Sequence, residues 1–281
     1  MRTSNAIFDH VVRPEVHLLG RRIRAFVFFG YVGALSAFVL VLALATRLAL
    51  SLRVSVLLSL LAVLTYAGLA SLTLKRRGEL RLAYYHYFLS TLVVWMAVLF
   101  ALREPIASYL DVMALGYGTF LVVVRLGCLM AGCCHGRPHT WGVSYGKRHV
   151  EHGFKSSFVG VRLLPIQLIE STYVLIIVLV GVTILLRGSM PGEALALYVV
   201  LYSTGRFAFE FFRGDANRPY FAGFSEPQWI SMGLVSAAAA AALWYGLELR
   251  YLYVALAMVV TVSVLGVTLL RLGLRTNEHL L

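Results

Sequence analysis

The chain has 281 residues, of which 60% are hydrophobic and 14% charged, and its mean hydropathy is +0.81. A soluble domain is nearer 25% charged, so this composition excludes a soluble globular enzyme and points to an all-α, polytopic integral membrane helical bundle. Basic residues outnumber acidic ones 25 to 13, scattered through short loops; that arrangement argues against nucleic acid and suits arginines that meet the anionic headgroups of membrane lipids.

Residues 1–24 form a basic N-terminal segment carrying Arg2, Arg13, Arg21, Arg22 and Arg24, a candidate for lying on a membrane surface. A bilayer needs roughly 20 apolar residues per helix, and eight stretches meet that need. The first runs from Ala25 to Ala45. Its Ala43-Leu44-Ala45 ending is faintly like a signal cleavage site, but the run is long and more spans follow, so it reads as a retained helix. Span 2 is Val54–Leu74, span 3 Leu82–Leu102, and span 4 Tyr109 to about Ala131. Residues 132–164 form the one long segment between spans, an interfacial cap rich in histidine, aromatic and basic residues, with a short strand at Trp141–Tyr145. Span 5 is Pro165–Leu186, span 6 Gly192–Phe212, span 7 Gln228–Leu247 and span 8 Tyr251–Leu270. No repeat or linker divides the chain, so residues 1–281 read as a single transmembrane domain.

Three polar constellations fall at the same end of their spans. Span 4 ends in Arg125-Leu-Gly-Cys-Leu-Met-Ala-Gly132-Cys-Cys-His-Gly136-Arg137. An arginine inside a helical span costs roughly 2.5–3.5 kcal/mol on insertion scales and is retained for function by default. Span 6 ends in Arg206-Phe-Ala-Phe-Glu210-Phe-Phe-Arg213. Arg206 and Glu210 share a helix face at i, i+4. They read either as a structural ion pair or as an acid that orients an arginine towards a ligand phosphate. Tyr202 lies one turn earlier on that face, and Arg213 sits at the span end, where it can snorkel. His86, one turn inside span 3 within Tyr84-Tyr85-His86-Tyr87, is either part of an aromatic belt or a general base.

Gln167 and Glu170 open span 5 with groups suited to hydrogen bonds across helices, and Glu170 needs an arginine partner. All three cysteines, Cys128, Cys133 and Cys134, lie in the span 4 motif. The contiguity of Cys133, Cys134 and His135 counts against tetrahedral metal binding. Packing beside glycines and service as a nucleophile are the other readings. No metal and no cofactor are expected. Charges gathered at one end of their spans, instead of mid-membrane, also argue against a transporter for an anionic solute.

These motifs resemble the prolipoprotein diacylglyceryl transferase family, which acts first in the maturation of bacterial lipoproteins. The span 4 motif is similar to that family's signature of arginine, glycine and asparagine followed by a glycine and a Gly-Arg pair, in the version that carries Gly-Cys and Gly-Cys-Cys-x-Gly. Pro165-x-Gln167-Leu-x-Glu170, Arg206-Phe-x-x-Glu210-Phe-x-Arg213 with Tyr202, and Ser225-x-x-Gln228 resemble three more family motifs in the same order. Cys128 replaces the family asparagine, Tyr87 and Phe88 replace the glycines of a His-Gly-Gly, and Phe29-Gly30 stands for Tyr-Gly. Span 8 is additional to the family's seven helices.

The resemblance implies transfer of a diacylglyceryl group from phosphatidylglycerol to the lipobox cysteine of a prolipoprotein signal peptide, with release of glycerol 1-phosphate. Arg125 and Arg206 would hold the phosphate, Glu210 would orient Arg206, and His86 would serve as base. Tyr202, Arg137, Gln167, Glu170 and Arg213 would line the substrate site, and Gly132 and Gly136 would let the lipid glycerol approach. The alternative is a non-catalytic or re-purposed phospholipid-binding paralogue.

The family works in the bacterial inner membrane, with its N-terminus and site at the outer leaflet. Basic residues outside the spans divide eighteen on the N-terminal side to five on the other, which by the positive-inside rule would place that side in the cytoplasm. A site for an anionic lipid gathers arginines for its own reasons, and the family orientation is the one expected here. An eighth span would return the C-terminus to the N-terminal side.

Overall fold

A computed structural model describes residues 2–18, 20–77, 84–214 and 220–278. Eight long helices follow the eight apolar stretches: α2 (Ala25–Arg47), α3 (Leu52–Arg77), α4 (Tyr84–Leu102), α5 (Ile106–Ala131), α7 (Ile166–Leu186), α8 (Glu193–Glu210), α9 (Glu226–Tyr245) and α10 (Arg250–Glu278). Two short helices, α1 (Arg2–Val11) and α6 (Lys147–Val150), complete the set among the described residues. The start of span 3 at Leu82 and Ala83, together with Arg81 and Arg218, lies outside the described residues.

The chain is an all-α polytopic membrane bundle. Among the described residues, six of its long helices are apolar and long enough to cross a membrane, two fewer than the sequence reading expects. The other two are α8 and α9. Helix α8 carries Glu193, Arg206 and Glu210 in 18 residues, and α9 opens on Glu226-Pro-Gln228 and continues in alanines. Both are packed against other helices: α8 lies between α7 and α9, and α10 packs on α9.

Helix α5 is the hub, touching α2, α3, α4, α7 and α8. Between apolar helices in lipid, packing contacts must replace the hydrophobic effect, and small residues permit the closest approach. Gly116 lets α5 meet α2, since a Cβ there would fall 2.4 Å from Val41 Cγ2. At the other end of the same contact, a Cβ on Gly127 would fall 2.9 Å from Phe29 Cβ.

Three two-stranded antiparallel hairpins stand outside the bundle: β1 (Glu15–Leu18) with β2 (Arg21–Arg24), β3 (Pro138–Ser144) with β4 (Arg162–Leu163), and β5 (Tyr220–Phe221) with β6 (Phe224–Ser225). The alternation of the long helices puts all three on the N-terminal side. The β3–β4 hairpin and α6 make up the cap of residues 132–164 over a small core of Leu129, Val143, Tyr145, Phe154 and Leu163.

Helix α1 is latched to the cap. Asn5 bonds the backbone of Thr140 and Gly142, and Asp9 receives two bonds from the Arg162 guanidinium and one from Ser144 N–H. On the opposite side, two fully buried carboxylates cap helices. Asp111 accepts from Gly192 and Leu195 N–H at the start of α8, and Glu193 accepts from Glu248 and Leu249 N–H at the start of α10.

Candidate functional site

Arg125 lies six residues before the end of α5, Glu170 four after the start of α7, and Arg206 four before the end of α8. At 1.5 Å per residue, each sits roughly 6–9 Å inside its helix end, so the three share one depth. The bundle turns them towards one another. Glu170 Oε1 accepts from Arg125 Nη2 at 2.8 Å and from the Tyr202 hydroxyl at 3.1 Å. Its Oε2 lies 3.7 Å from Arg206 Nη1. On the far side of Arg206, Nη2 is 3.2 Å from Glu210 Oε2. The acid that the sequence assigns to Arg206 is therefore one of two, and Glu170 is shared by both arginines.

Arg125, Glu170, Arg206, Glu210 and Arg213 are all buried, and Glu170 has no exposure at all. Arg213 also acts electrostatically on Glu170. Three buried guanidiniums thus face two buried carboxylates. Arg125 Nε and Arg206 Nη1 are buried without a hydrogen-bond acceptor among the described residues. Unpaired buried donors are costly, and open N–H groups on two buried guanidiniums are suited to an anionic ligand.

The Gly136–Arg137 step is stitched into place by backbone. Gly136 N–H donates to Leu164 O, Arg137 N–H to Phe212 O, and Gly214 N–H to His135 O. This ladder ties the cap to the end of α8 and sets where Arg213 leaves the helix. The two glycines, Gly132 and Gly136, sit where the protein's own atoms pack closely. Gly132 ends α5 in the left-handed conformation at φ +80, with Tyr145 and Phe154 filling the space where its side chain would be. A Cβ on Gly136 would meet Leu164 Cβ and O at 2.7 Å. Arg137 is exposed while its backbone makes the ladder. Gln167 Nε2 donates to Cys133 O at 2.7 Å, so it braces the motif.

His86 does not join the arginine network. It is exposed at the start of α4, and its Nε2 lies 2.9 Å from Glu226 Oε1 on α9. The neighbouring residue faces inward instead: Tyr85 is buried, its hydroxyl 2.7 Å from Ser231 Oγ and its ring 5.9 Å from that of Tyr202. Successive helical residues point about 100° apart, which is why one turns in and the next out. Tyr85, Ser231 and Glu226 are contacts that the sequence reading missed. Glu226 is an acid in a first helical turn, a common place for one, and nothing local marks its partner. Below the network, the rings of Tyr198 and Tyr202 stack 5.8 Å apart, and Tyr84 bonds Tyr198 through their hydroxyls.

Gln228 turns back to accept from Ser225 N–H at 3.0 Å and donates to Phe207 O, fixing α9 against α8. A separate cavity of about 1050 Å³ opens among α1, the first hairpin and the cap. It is lined by Arg13, Glu15, Arg22 and Arg148, and reaches the span 4 motif only through Met130.

Residues 16–245 match the family model for prolipoprotein diacylglyceryl transferase. The chain belongs to that family. It is 31% identical over 91 residues to a protein of Clostridium tetani named phosphatidylglycerol–prolipoprotein diacylglyceryl transferase, a match covering 32% of this chain and 35% of that one. It is 32% identical over 94 residues to a Clostridium perfringens protein named phosphatidylglycerol–prolipoprotein diacylglyceryl transferase 2, covering 32% and 34%. The chain thus spans about a third of the length of these relatives. The buried network of Arg125, Glu170 and Arg206 stands at one end of the bundle in a multi-pass membrane protein.

Proposed function

We propose that this protein transfers a diacylglyceryl group from phosphatidylglycerol to the lipobox cysteine thiol of a prolipoprotein, forming a thioether and releasing glycerol 1-phosphate. The observation that carries the reading is the pair of buried arginines, Arg125 and Arg206, held by one buried carboxylate, Glu170. Phosphatidylglycerol brings a phosphodiester of charge −1 to two guanidiniums with N–H groups left open. When the carbon–oxygen bond breaks, the leaving phosphate becomes a dianion. Fixed guanidiniums stabilise that added charge more than the ground state, which is the condition for lowering the barrier.

Glu170 and Glu210 position the two guanidiniums, and Tyr202 holds Glu170 in place. Arg213, buried just past the end of α8, acts electrostatically on Glu170. His86 with Glu226 forms an acid–base pair between α4 and α9, where an incoming thiol could lose its proton. The site faces the outer leaflet of the bacterial inner membrane, with both termini on that side. The surplus of arginine there then reflects the anionic lipid it receives.

The test uses purified full-length protein with phosphatidylglycerol and a lipobox peptide. Mass spectrometry should show the peptide gaining a diacylglyceryl group, and Arg206→Ala should abolish the gain. Binding of phosphatidylglycerol without any thioether product would support the second reading, a phospholipid-binding paralogue. That reading is favoured by His86 standing apart from the arginines.

A further inference from the structure

The three cysteines are the part of the span 4 motif that the arginine network leaves unused. They are separated by four residues and by none, yet their Sγ atoms all lie within 4.8 Å of one another. Two local features bring this about. Gly132 ends α5 with a left-handed residue, so the chain folds back over the last helical turn, and the Cys133 thiol points to Cys128 O at 3.9 Å. Cys134 then adopts φ +59, an uncommon left-handed conformation for a residue with a Cβ, which reverses the chain. That turn removes the objection that contiguous cysteines cannot converge. His135 is directed elsewhere: its Nδ1 donates to Gly136 O and its ring packs on Phe154 and Phe158.

Thiolates around zinc at about 2.3 Å stand about 3.8 Å apart. Side-chain movements of at most about 1 Å would bring these three sulfurs to that spacing. Cys128 is buried, Cys134 half-buried and Cys133 exposed, so the group has a closed floor and an open side. Gln167 fixes the Cys133 carbonyl, and Tyr145 donates to Leu129 O beside Cys128, as supporting hydrogen bonds around a metal site do. Structural zinc sites are closed by four protein ligands, whereas three protein ligands with an open position mark a site that binds a reactant.

We propose that Cys128, Cys133 and Cys134 form a tri-thiolate site for a zinc-class cation whose open position takes the acceptor thiol. The second half rests on the transferase reading; the first does not. A thiol that coordinates such a cation loses its proton to solvent, so that the cation takes over at this site the activation assigned above to His86. The bound sulfur then uses its electron pair to form the bond to the glycerol carbon. The carbon–oxygen bond to phosphate breaks, and its electrons leave with glycerol 1-phosphate, whose second charge develops beside Arg125 and Arg206. The neutral thioether is a weak ligand and departs.

The experiment titrates full-length, reduced, metal-free protein in detergent with Co²⁺ as the spectroscopic stand-in for Zn²⁺. One equivalent should produce thiolate-to-cobalt charge-transfer absorption, and Zn²⁺ should bleach it. The band should be lost in Cys133→Ser, whose exposed position leaves folding intact, and kept in Arg206→Lys. A cysteine-containing lipobox peptide should shift the ligand-field bands, and its serine counterpart should not. Absence of the band with three freely reactive thiols would overturn the site, as would a native mass two protons low, the mark of a disulfide. Cobalt bands blind to the cysteine peptide would overturn the acceptor role. An intact cobalt site with no thioether product would count against the transferase reading and leave the metal site standing.

Discussion

Glu170 and Arg125 meet at 2.8 Å across the contact between α7 and α5, and the carboxylate is completely buried. The same carboxylate receives Tyr202 and faces Arg206, so its charge holds two guanidiniums at once. Removing that charge leaves two buried cations without it, and breaking one partner of a buried ion pair costs about 3–5 kcal/mol. Glu170→Gln should therefore lower the thermal unfolding midpoint in detergent sharply and weaken phosphatidylglycerol binding together. A midpoint within a degree or so of the parent would refute the hub.

Arg206 contacts acids on two sides through separate nitrogens. Lysine keeps the charge but has a single ammonium that cannot reach both. Arg206→Lys should fold normally and reduce transfer to the lipobox peptide by about 100-fold or more, the scale expected for loss of one fixed donor at a developing charge. Steady-state rates at saturating lipid check this; near-parental turnover would show that charge alone suffices.

Asp111 caps α8 from the opposite side of the bundle through two backbone bonds of 2.7 Å. Asp111→Asn keeps one acceptor and loses the charge at the helix N-terminus. Stability should fall by about 1 kcal/mol, as for loss of a helix cap, while affinity for phosphatidylglycerol stays unchanged. Denaturant melts and lipid binding measured on one preparation separate the two effects.

Gly136 passes so close to Leu164 that a methyl group there would overlap its carbonyl oxygen. Gly136→Ala should push the cap away from the end of α8 at a cost of about 1–3 kcal/mol, the usual range for overpacking. Hydrogen exchange should then rise at Arg137 and Gly214, whose amides make the ladder. Unchanged protection would mean that the ladder yields without loss.

The Asp9–Arg162 latch should respond to acid. Burial raises the Asp9 pKa, but Arg162 and Ser144 N–H outweigh it and hold the carboxyl below its ordinary value. A depressed folded-state pKa gives stability that is present above the unfolded pKa and lost as pH falls through the folded one. Proteolysis of α1 should accelerate on acidification below about pH 4, the unperturbed carboxylate range, and Asp9→Asn should show fast cleavage at every pH.

Much of the arrangement follows from residue order alone. The apolar runs delimit eight helices whose observed bounds, except that α10 runs eight residues further, differ from the expected ones by a few residues, because a run of about 20 apolar residues leaves the backbone no other way to satisfy its polar groups in lipid. The common depth of Arg125, Glu170 and Arg206 is also written in the sequence, since each is counted from a helix end. Which way each helix faces is not. Nearly uniform apolar helices carry little amphipathic signal, so rotation about the axis is set by packing such as Gly116 on Val41. That rotation turned Tyr85 inward and His86 towards Glu226, and made Glu170 the shared acid. Backbone reversal at Gly132 and Cys134 likewise gathered three thiols that the linear spacing held apart. Length and hydropathy decide that these residues arrive at one end of the bundle; only side-chain packing between helices decides which of them touch.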